Sequence, residues 1–219
     1  MSVATRRQRE RQERRLSILD AAEAVFASKG FSQATMDDIA AEAQLSKGTL
    51  YLYFKSKDEL LMTLASRSIA SVHSEFEAIV ASELSASEAV RAMLRCQARH
   101  LTVRPQMFRI MTGHMASGYQ LDTSTAAFEN HRRLVARSVS YVATVIERGK
   151  RDRSLRSDLA PAQIAVQLWG GLVGILLVRM NAKTMVHGSH FPVDFEHIVD
   201  GYIDMVTRGL ECADVESTT

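Results

Sequence analysis

The sequence predicts an all-α fold, and three observations support this prediction. Apolar residues recur at every third or fourth position along almost the whole chain, which is the spacing of one face of a helix. Only three of the 219 residues are proline, and no stretch of useful length alternates apolar and polar residues as a half-buried strand does. With 46% hydrophobic residues, the chain can bury one large core or two smaller ones.

The first predicted helix ends at Lys29, and its apolar stripe consists of Ile18, Ala21, Ala22, Val25 and Phe26. Gly30 follows it, as glycine often follows a helix, and Lys29 places a cation where the helix dipole favours one. Residues 1–15 contain six Arg and two Glu, so positive charge concentrates there although the whole chain carries only +2. We expect residues 1–11 to be a flexible Arg-rich arm, either a solvated tail or a segment suited to polyphosphate.

Two short helices are predicted next. Thr35 can cap the first of them with Asp38 at the reciprocal position, and the helical pattern breaks at Gln44. Ser46 can cap the second, Lys47–Tyr53. Two short helices joined by a tight turn form a helix-turn-helix if their apolar residues pack together. The residues expected to do so are Ile39, Ala43, Leu45 and Leu50.

The first turn of the second short helix holds Lys47, Gly48 and Thr49. In a helix-turn-helix, this turn reaches base edges in a major groove about 12 Å wide. Hydroxyl and ammonium groups nearby are suited to phosphate oxygens. Similar helix pairs also occur in ordinary bundles, so the spacing alone leaves both interpretations open. The candidate phosphate contacts are Thr35, Tyr51, Tyr53, Lys55 and Lys57.

A longer string, FSQATMDDIAAEAQLSKGTLYLYFKSKDELL, closely resembles the N-terminal DNA-binding domain of the TetR family of bacterial transcription regulators, and the resemblance covers residues 12–72. It implies that Ser46, Lys47, Gly48, Thr49 and Tyr51 lie at the groove, with Thr35, Tyr53 and Lys57 among the backbone contacts. It also gives the Arg-rich arm a role along the DNA. Gln44 stands where the family usually has glycine, so we expect a left-handed, modestly strained backbone at this DNA-binding candidate. The matching positions are Ala21, Ala22, Phe26, Lys29, Gly30, Phe31, Thr35, Ile39, Ala40, Ala43, residues 46–51, Tyr53, Phe54, Lys55 and Lys57.

Helical patterns continue to the end of the chain. Ser56 and Glu59 form a predicted capping box that opens a fourth helix running to about Ala81. We expect residues 73–211 to be a ligand-binding and dimerisation domain and residues 212–219 a tail. Its predicted helices are Ser87–Val103, Pro105–Met115, Thr123–Lys150, Pro161–Ala182 and Asp194–Glu211.

The last two predicted helices are the most apolar. Packing within one chain explains this pattern, but TetR-like proteins dimerise through a four-helix bundle of these helices, so the resemblance implies a two-fold homodimer. Gly170 and Gly174 lie four residues apart, which allows close approach of two helices or room for Trp169. The candidate interface residues are Leu168, Leu172, Ile175, Phe195, Ile198, Tyr202 and Met205.

Between these ends, the sequence mixes Met, His and aromatic residues, which suit an adaptable pocket for a largely apolar small molecule. An ordinary core explains the same mixture. His100, His114 and His131 lie on separate predicted helices and could converge, and Arg132 or Arg137 could meet an acidic group. The pocket candidates are Phe76, Met93, Cys96, His100, Phe108, Met111, His114, Phe128, His131 and Trp169.

Other classes of function find little support. The longest apolar run, Ile164–Val178, is shorter than the roughly 20 residues of a spanning helix and contains Gln167, so we expect a cytoplasmic protein without membrane contact. Cys96 with His100 is the one nucleophile and base pair that spacing suggests, and no catalytic signature accompanies it. Neither that pair nor His187 with His190 makes a full ligand set, so we expect no metal, no cofactor and no enzymatic activity.

The sequence therefore predicts a homodimeric, ligand-responsive transcription regulator. We expect a repressor that binds a pseudo-palindromic operator in double-stranded DNA and is released by an unidentified, largely apolar effector. The alternative is a helical interaction protein or holdase that keeps the fold without specific DNA binding.

Overall fold

The computed structural model describes residues 3–181 and 194–212, and these fold into nine α-helices. The predicted all-α class is confirmed. The extended pairing within the described residues is a single bridge between Leu155 and Glu211. The helices are α1 (Val3–Lys29), α2 (Met36–Glu42), α3 (Lys47–Tyr53), α4 (Lys57–Val80), α5 (Ala86–Val103), α6 (Pro105–Ala116), α7 (Ala126–Arg151), α8 (Pro161–Met180) and α9 (Phe195–Leu210).

The chain divides into two compact units. The first contains Met1–Ser71 and Leu101–Val135, and the second contains Val72–His100 and Ala136–Thr219. The division after Ser71 lies beside the predicted boundary, but residues 101–135 group with the N-terminal part instead of the predicted second domain. The reason is apolar packing, since Met107 and Ile110 of α6 are buried in the same cluster as the residues of α1–α3.

The core of the first unit joins the helices that the sequence predicts to pack together. Ile18, Ile39 and Leu50 are fully buried in one cluster, and Ala43 and Leu45 pack against it. Burial of a large aliphatic side chain contributes about 1.5–3 kcal/mol, so this cluster holds α3 firmly against α2. The predicted packing of the two short helices is confirmed.

Helix α1 begins much earlier than the sequence analysis predicts. It starts at Val3, so the segment expected to be a flexible arm is helical over its described residues. Arg, Gln and Glu are good helix formers, and two exposed ion pairs one turn apart join successive turns. These pairs are Arg6–Glu10 at 2.8 Å and Arg9–Glu13 at 2.9 Å.

The start of α4 differs in detail from the predicted capping box. Ser56 Oγ accepts a hydrogen bond from the Glu59 amide at 3.1 Å, as expected. The Glu59 carboxylate accepts from the amide of Lys55 at 2.7 Å, one residue earlier than the Ser56 amide of a reciprocal box. The carboxylate still satisfies a backbone N–H beside the helix N-terminus, where negative charge is favoured.

The second unit is built from the C-terminal part of α4, most of α5 and α7, and helices α8 and α9. Val90, Ile146, Leu168 and Ile203 lie in one buried cluster. The predicted helices agree with the structure within three residues at each described end, and Ala182, the predicted last residue of α8, lies outside the described residues. Helix α7 begins at Ala126 because Thr125 Oγ1 accepts from the Phe128 amide at 3.1 Å and caps it.

Candidate DNA-binding surface

The two predicted capping residues fix the ends of the short helices. Thr35 Oγ1 accepts from the Asp38 amide at 3.1 Å, and the Asp38 carboxylate accepts from the Thr35 amide at 3.1 Å, which completes a capping box. Ser46 Oγ accepts from the Thr49 amide at 3.2 Å. Hydrogen bonds from Lys29 and from Thr35 lower the pKa of Asp38, so this carboxylate stays charged at neutral pH. Both caps are confirmed.

Gln44 turns the chain between α2 and α3 with a left-handed backbone, at φ +55°. Its amide donates to Ala41 O at 3.0 Å, and the amide of Leu45 donates to Ala40 O at 2.9 Å. These two bonds form a Schellman motif, which normally places glycine at the left-handed position. The expected conformation is confirmed, and it costs a residue with a Cβ about 1–2 kcal/mol.

The first turn of α3 presents exposed polar groups. Ser46, Lys47 and Gly48 are exposed, and the Ser46 and Thr49 hydroxyls lie 2.8 Å apart. A Cβ built at Gly48 meets no atom within 4 Å, and its backbone is helical. The fold therefore does not require glycine at this position.

Lys47 is held in place by an ion pair with Asp37 of α2, with Nζ and Oδ1 2.8 Å apart. The hydrogen bond to Asp37 raises the pKa of Lys47, so the ammonium stays protonated. Both side chains are largely exposed, which means that water and salt weaken the pair. A phosphate or a base acceptor can thus replace Asp37 as the partner of Lys47.

The remaining polar candidates near α3 have different roles. Tyr51 and Tyr53 are partly exposed, and Lys55 Nζ donates to Tyr51 O at 2.8 Å. Lys57 Nζ donates to the carbonyl oxygens of Phe31 at 3.0 Å, Ser32 at 3.1 Å and Ala34 at 3.3 Å. Three acceptors use all three ammonium protons. In this structure Lys57 therefore fastens the segment between α1 and α2, a role that the predicted phosphate contact did not include.

Two residues that sequence reasoning missed support the same surface. Arg15 of α1 donates to Tyr53 O at 3.2 Å, and its guanidinium lies 4.1 Å from the centroid of the Phe54 ring. Asp58 is buried and accepts from the Tyr119 hydroxyl at 3.1 Å and from the Asp122 amide at 2.9 Å. These contacts join residues 38 and about 60 positions apart, and no local motif signals them.

The pocket candidates are distributed between the cores of the two units. Met111 and Phe128 pack against the first core, whereas Phe76, Met93 and Cys96 are buried in the second. His100 belongs to the second unit, and His114 and His131 belong to the first. Phe108 is buried, whereas Trp169 is 47% exposed on α8. The structure thus gives most of these side chains a place in ordinary core packing, the alternative that the sequence left open.

Two surface clefts of about 350 and 490 Å³ lie in the first unit. The smaller is lined by residues of α1, α4 and the α5–α6 junction, and the larger by residues of α1 and α2 with Gln44. Neither is lined by a pocket candidate. The two arginines considered for an acidic ligand are occupied within the chain, since Arg132 pairs with Glu129 and Arg137 pairs with Glu77.

His114 and His131 each have a buried Nδ1 atom without a hydrogen-bond partner among the described residues. His114 packs edge-on against the rings of Phe31 and Tyr119, with centroids 5.1 and 6.0 Å apart. Burial lowers the pKa of both histidines, so the rings are neutral at physiological pH.

The dimer candidates separate into buried and exposed residues. Leu168 and Leu172 are buried within the chain, so they are not available to a partner. Ile198 and Met205 are exposed on α9. Ile175, Phe195 and Tyr202 are partly exposed, and the Tyr202 hydroxyl donates to Leu168 O at 3.0 Å.

The close approach of α8 and α9 occurs at a glycine that sequence reasoning did not single out. A Cβ at Gly171 would overlap the Tyr202 ring, whereas Gly170 and Gly174 face open space. Helix α8 also exposes Val166, at 59%, beside Trp169. Its outer face is therefore apolar and lined with small residues.

By length and composition alone, α8 is able to span a membrane. Within its 20 residues, a stretch of 18 has a mean hydropathy of 1.6, and only 22% of that stretch is buried within the chain. Core helices of proteins without membrane segments meet the same criterion. Packing within one chain therefore buries only a small part of this apolar helix.

Cys96 and His100 do not form an activated nucleophile. Burial and the nearby Glu75 carboxylate raise the pKa of the Cys96 thiol to about 11, so it stays protonated at neutral pH. The potential ligand atoms of Glu75, Cys96 and His100 lie within 4.8 Å of one another. The sequence analysis weighed Cys96 with His100 but missed Glu75, which lies on the neighbouring helix.

The architecture is that of a helical protein with an N-terminal helix-turn-helix. Residues 18–64 match the family described as "Bacterial regulatory proteins, tetR family". This match lies in the N-terminal part of the chain, where the sequence resembles the DNA-binding domain of TetR-family regulators.

Similar proteins match different parts of the chain. A fatty acid metabolism regulator protein of Bacillus subtilis is 43% identical over 49 residues, which are 22% of this chain and 25% of that protein. This match thus spans only a quarter of that relative's length. The transcriptional activator FasR of Mycolicibacterium smegmatis is 28% identical over 91% of this chain and 84% of its own.

Among solved structures, the regulator FadR of Bacillus subtilis in complex with stearoyl-CoA superposes with a TM-score of 0.71 and 16% identity. The comparison covers 90% of this chain and 99% of that one. At this identity, the likeness shows that the two proteins share a fold.

Proposed function

We propose that this protein is a homodimeric transcription regulator that binds a pseudo-palindromic operator through the first turn of α3 and releases it when a small molecule binds. The surface of α3 carries the proposal. Gly48 is a glycine that the fold does not need, at the centre of an exposed polar turn. A recognition helix uses such a position to bring its backbone close to base edges.

The contacts at the groove fall into two groups. Ser46, Lys47 and Thr49 offer hydroxyl and ammonium donors from the first turn of α3, where base edges come within reach. In this proposal, Thr35, Tyr51, Tyr53 and Lys55 position the protein on phosphates. Gln44, at the turn, sets the angle between α2 and α3.

Variants of α3 test this proposal in a gel shift with the DNA upstream of the protein's own gene. Gly48→Ala adds a methyl group that meets no atom of the chain, so helical content and thermal stability should be unchanged or higher. The same methyl group should lower DNA affinity at least tenfold. Lys47→Ala and Tyr51→Ala should abolish the shift.

Arg132→Ala is the matched control, because it removes one exposed, ion-paired cation from α7. Its DNA affinity should equal that of the wild type. Full DNA binding by both Gly48→Ala and Lys47→Ala would exclude α3 as the reading helix. A holdase that had lost DNA binding would show no specific shift with any variant and would suppress aggregation of an unfolded client.

The effector proposal rests on relatives whose names refer to fatty acid metabolism and on the structure of FadR with stearoyl-CoA. We propose a long-chain acyl compound as the effector, which agrees with the largely apolar ligand that the sequence predicts. Phe76, Met93 and the other buried pocket candidates of the second unit would have to repack around it, and Met side chains adapt to such changes.

An acyl-CoA series added to the protein–DNA complex tests the effector class. Long-chain acyl-CoA should dissociate the complex at concentrations at which free coenzyme A has no effect.

Helix α4 begins at Lys57 in the first unit and ends at Val80 in the second. We propose that it connects the effector site to the DNA-binding surface. A ligand acts only if it binds one arrangement of this link more tightly than another.

A repressor lowers transcription when it is bound and an activator raises it, and FasR is named as an activator. Transcription in vitro from the bound promoter distinguishes the two roles. We expect transcription to fall when the protein is added and to recover with acyl-CoA. Higher transcription with the protein than without it would assign it as an activator.

A further inference from the structure

Three side chains in the second unit place a thiol, an imidazole and a carboxylate around one point. Cys96 and His100 lie four residues apart on the same face of α5, and Glu75 comes from α4. One potential ligand atom from each lies within 4.8 Å of the other two. The proposed DNA contacts use none of these residues.

The contacts within this cluster orient its members toward one another. Glu75 Oε1 lies 2.8 Å from His100 Nε2, and Arg99 pairs with the other carboxylate oxygen. Hydrogen bonds from His100, Arg99 and the Cys96 thiol lower the pKa of Glu75, so the carboxylate is charged. Cys96 is 3% exposed, whereas Glu75 and His100 are partly open to solvent. The carboxylate and the imidazole are therefore partly accessible from solvent.

The donor set indicates which cations fit. Ca²⁺ and Mg²⁺ take oxygen ligands, whereas a set that contains sulfur and nitrogen suits Zn²⁺ or Co²⁺. Tetrahedral zinc holds its ligand atoms about 3.5 Å apart. Because the three ligand atoms lie within 4.8 Å of one another, each pair must close by at most about 1.3 Å, which side-chain rotation supplies.

We propose that Glu75, Cys96 and His100 form a binding site for a thiophilic divalent cation such as Zn²⁺, which joins α4 to α5. The carboxylate and the thiolate balance the two positive charges, and Arg99 remains on the outer carboxylate oxygen. On binding, the thiol proton passes to solvent and a sulfur–metal bond replaces the S–H bond. Three protein ligands leave a fourth position for water or another small ligand.

The competing explanation is an ion-paired cluster that fastens α4 to α5 without a metal. Both explanations predict that substitutions here destabilise the second unit, so stability alone does not separate them. Thiolate ligation of Co²⁺ separates them, because it produces a charge-transfer absorption band that a hydrogen-bonded thiol lacks.

The experiment titrates the full-length, chelator-treated protein with Co²⁺ and records its absorption spectrum. We expect one equivalent of Co²⁺ to produce a thiolate-to-cobalt charge-transfer band with the strong visible bands of tetrahedral cobalt. Zn²⁺ should then displace the Co²⁺, so that the charge-transfer band and the visible cobalt bands disappear. Cys96→Ser should lose the charge-transfer band, and Glu75→Gln and His100→Ala should weaken Co²⁺ binding at least tenfold.

Cys212→Ser is the matched control, because Cys212 is the other cysteine of the chain and is exposed. Its spectrum should match that of the wild type. Circular dichroism of each variant identifies any loss of folding. An absent charge-transfer band in the folded wild type, or a band that survives Cys96→Ser and disappears with Cys212→Ser, would overturn the proposal. A gel shift without metal tests DNA binding separately, so the two proposals can fail independently.

Discussion

Gln44 occupies a left-handed turn that glycine adopts without strain. Because its Schellman bonds are made by the backbone, they do not depend on the glutamine side chain. Gln44→Gly should therefore keep the turn and relieve the strain, which stabilises the folded state. The greater freedom of glycine in the unfolded chain cancels part of this stabilisation. We expect a net stabilisation of about 0.5–1 kcal/mol, or about 1–4 °C in Tm.

Thermal unfolding followed by circular dichroism measures this effect. Gln44→Ala is the control, because it removes the side chain but keeps the Cβ that causes the strain. It should give no such gain. Equal Tm values for the glycine and alanine variants would show that the backbone at residue 44 is unstrained.

His114 and His131 make the first unit sensitive to mild acid. Burial lowers the pKa of both rings in the folded state, whereas an unfolded histidine binds a proton near pH 6.5. Below about pH 6.5 the unfolded state therefore binds more protons, and the free energy of unfolding falls until the pH passes the lowered pKa values. Well above pH 6.5, where both states bind no proton, the two histidines contribute no pH dependence to the free energy of unfolding.

Urea unfolding at pH 7.5 and at pH 5.5 measures this dependence. The wild type should be less stable at pH 5.5, and the His114→Gln, His131→Gln double variant should lose most of the difference. His197→Gln is the control, because His197 is exposed on α9. An equal pH dependence in the wild type and the double variant would assign the acid sensitivity to other groups.

Helix α1 concentrates positive charge near its N-terminus, since residues 1–15 contain six Arg and two Glu. Its first turns present Arg6, Arg7, Arg9 and Arg11 on a helix, with Arg6 and Arg9 each paired to a glutamate. Exposed pairs of this kind are weak and yield readily to phosphate. The helical arm is therefore still able to contact DNA, although the flexible conformation expected from sequence is not what the structure shows.

Replacing these four arginines with alanine should flatten the salt dependence of DNA affinity. Each phosphate that the arm no longer neutralises reduces the slope of log K against log salt by about 0.9, because fewer counterions are released. Fluorescence anisotropy over a series of salt concentrations measures the slope. Four lysines at the same positions keep the charge and should preserve it. An unchanged slope in the alanine variant would mean that the arm does not touch DNA.

At the scale of the whole molecule, α8 and α9 leave apolar side chains exposed. Val166, Trp169, Ile198 and Met205 are 37–66% exposed, and Gly170 adds an open, flat position. In water, covering such a surface is favourable, and a two-fold axis lets the same surface cover itself. We therefore propose that a homodimer would use these outer residues, with the buried Leu168 and Leu172 supporting them from within.

Met205→Glu should convert the dimer to a monomer, because a charge would be buried in an apolar interface. Met115→Glu is the matched control, since Met115 is 67% exposed, Met205 is 66% exposed, and Met115 lies on α6. Light scattering at micromolar concentration should give a dimer for the wild type and for the control. A monomeric wild type would refute the homodimer, and detergent-dependent solubility would instead point to the apolar length of α8.

Local interactions explain why much of the fold was predictable. The caps at Thr35 and Ser46 and the turn at Gln44 involve residues three to five positions apart, so their chemistry can be recognised in the string itself. The helix boundaries follow from the same short-range rules. The resemblance then identified α3 as the candidate DNA-reading element.

The remaining features depend on residues distant in sequence. Lys57 bonds to carbonyl groups about 25 residues away, and Glu75 meets His100 across two helices. Residues 101–135 join the first unit because their apolar faces find its core. The sequence by itself determined most of the helices, the caps at Thr35 and Ser46, and the resemblance of residues 12–72 to TetR-family regulators. Only the tertiary structure decided which polar groups face one another and which apolar residues stay exposed, because these depend on packing between segments that no local pattern records.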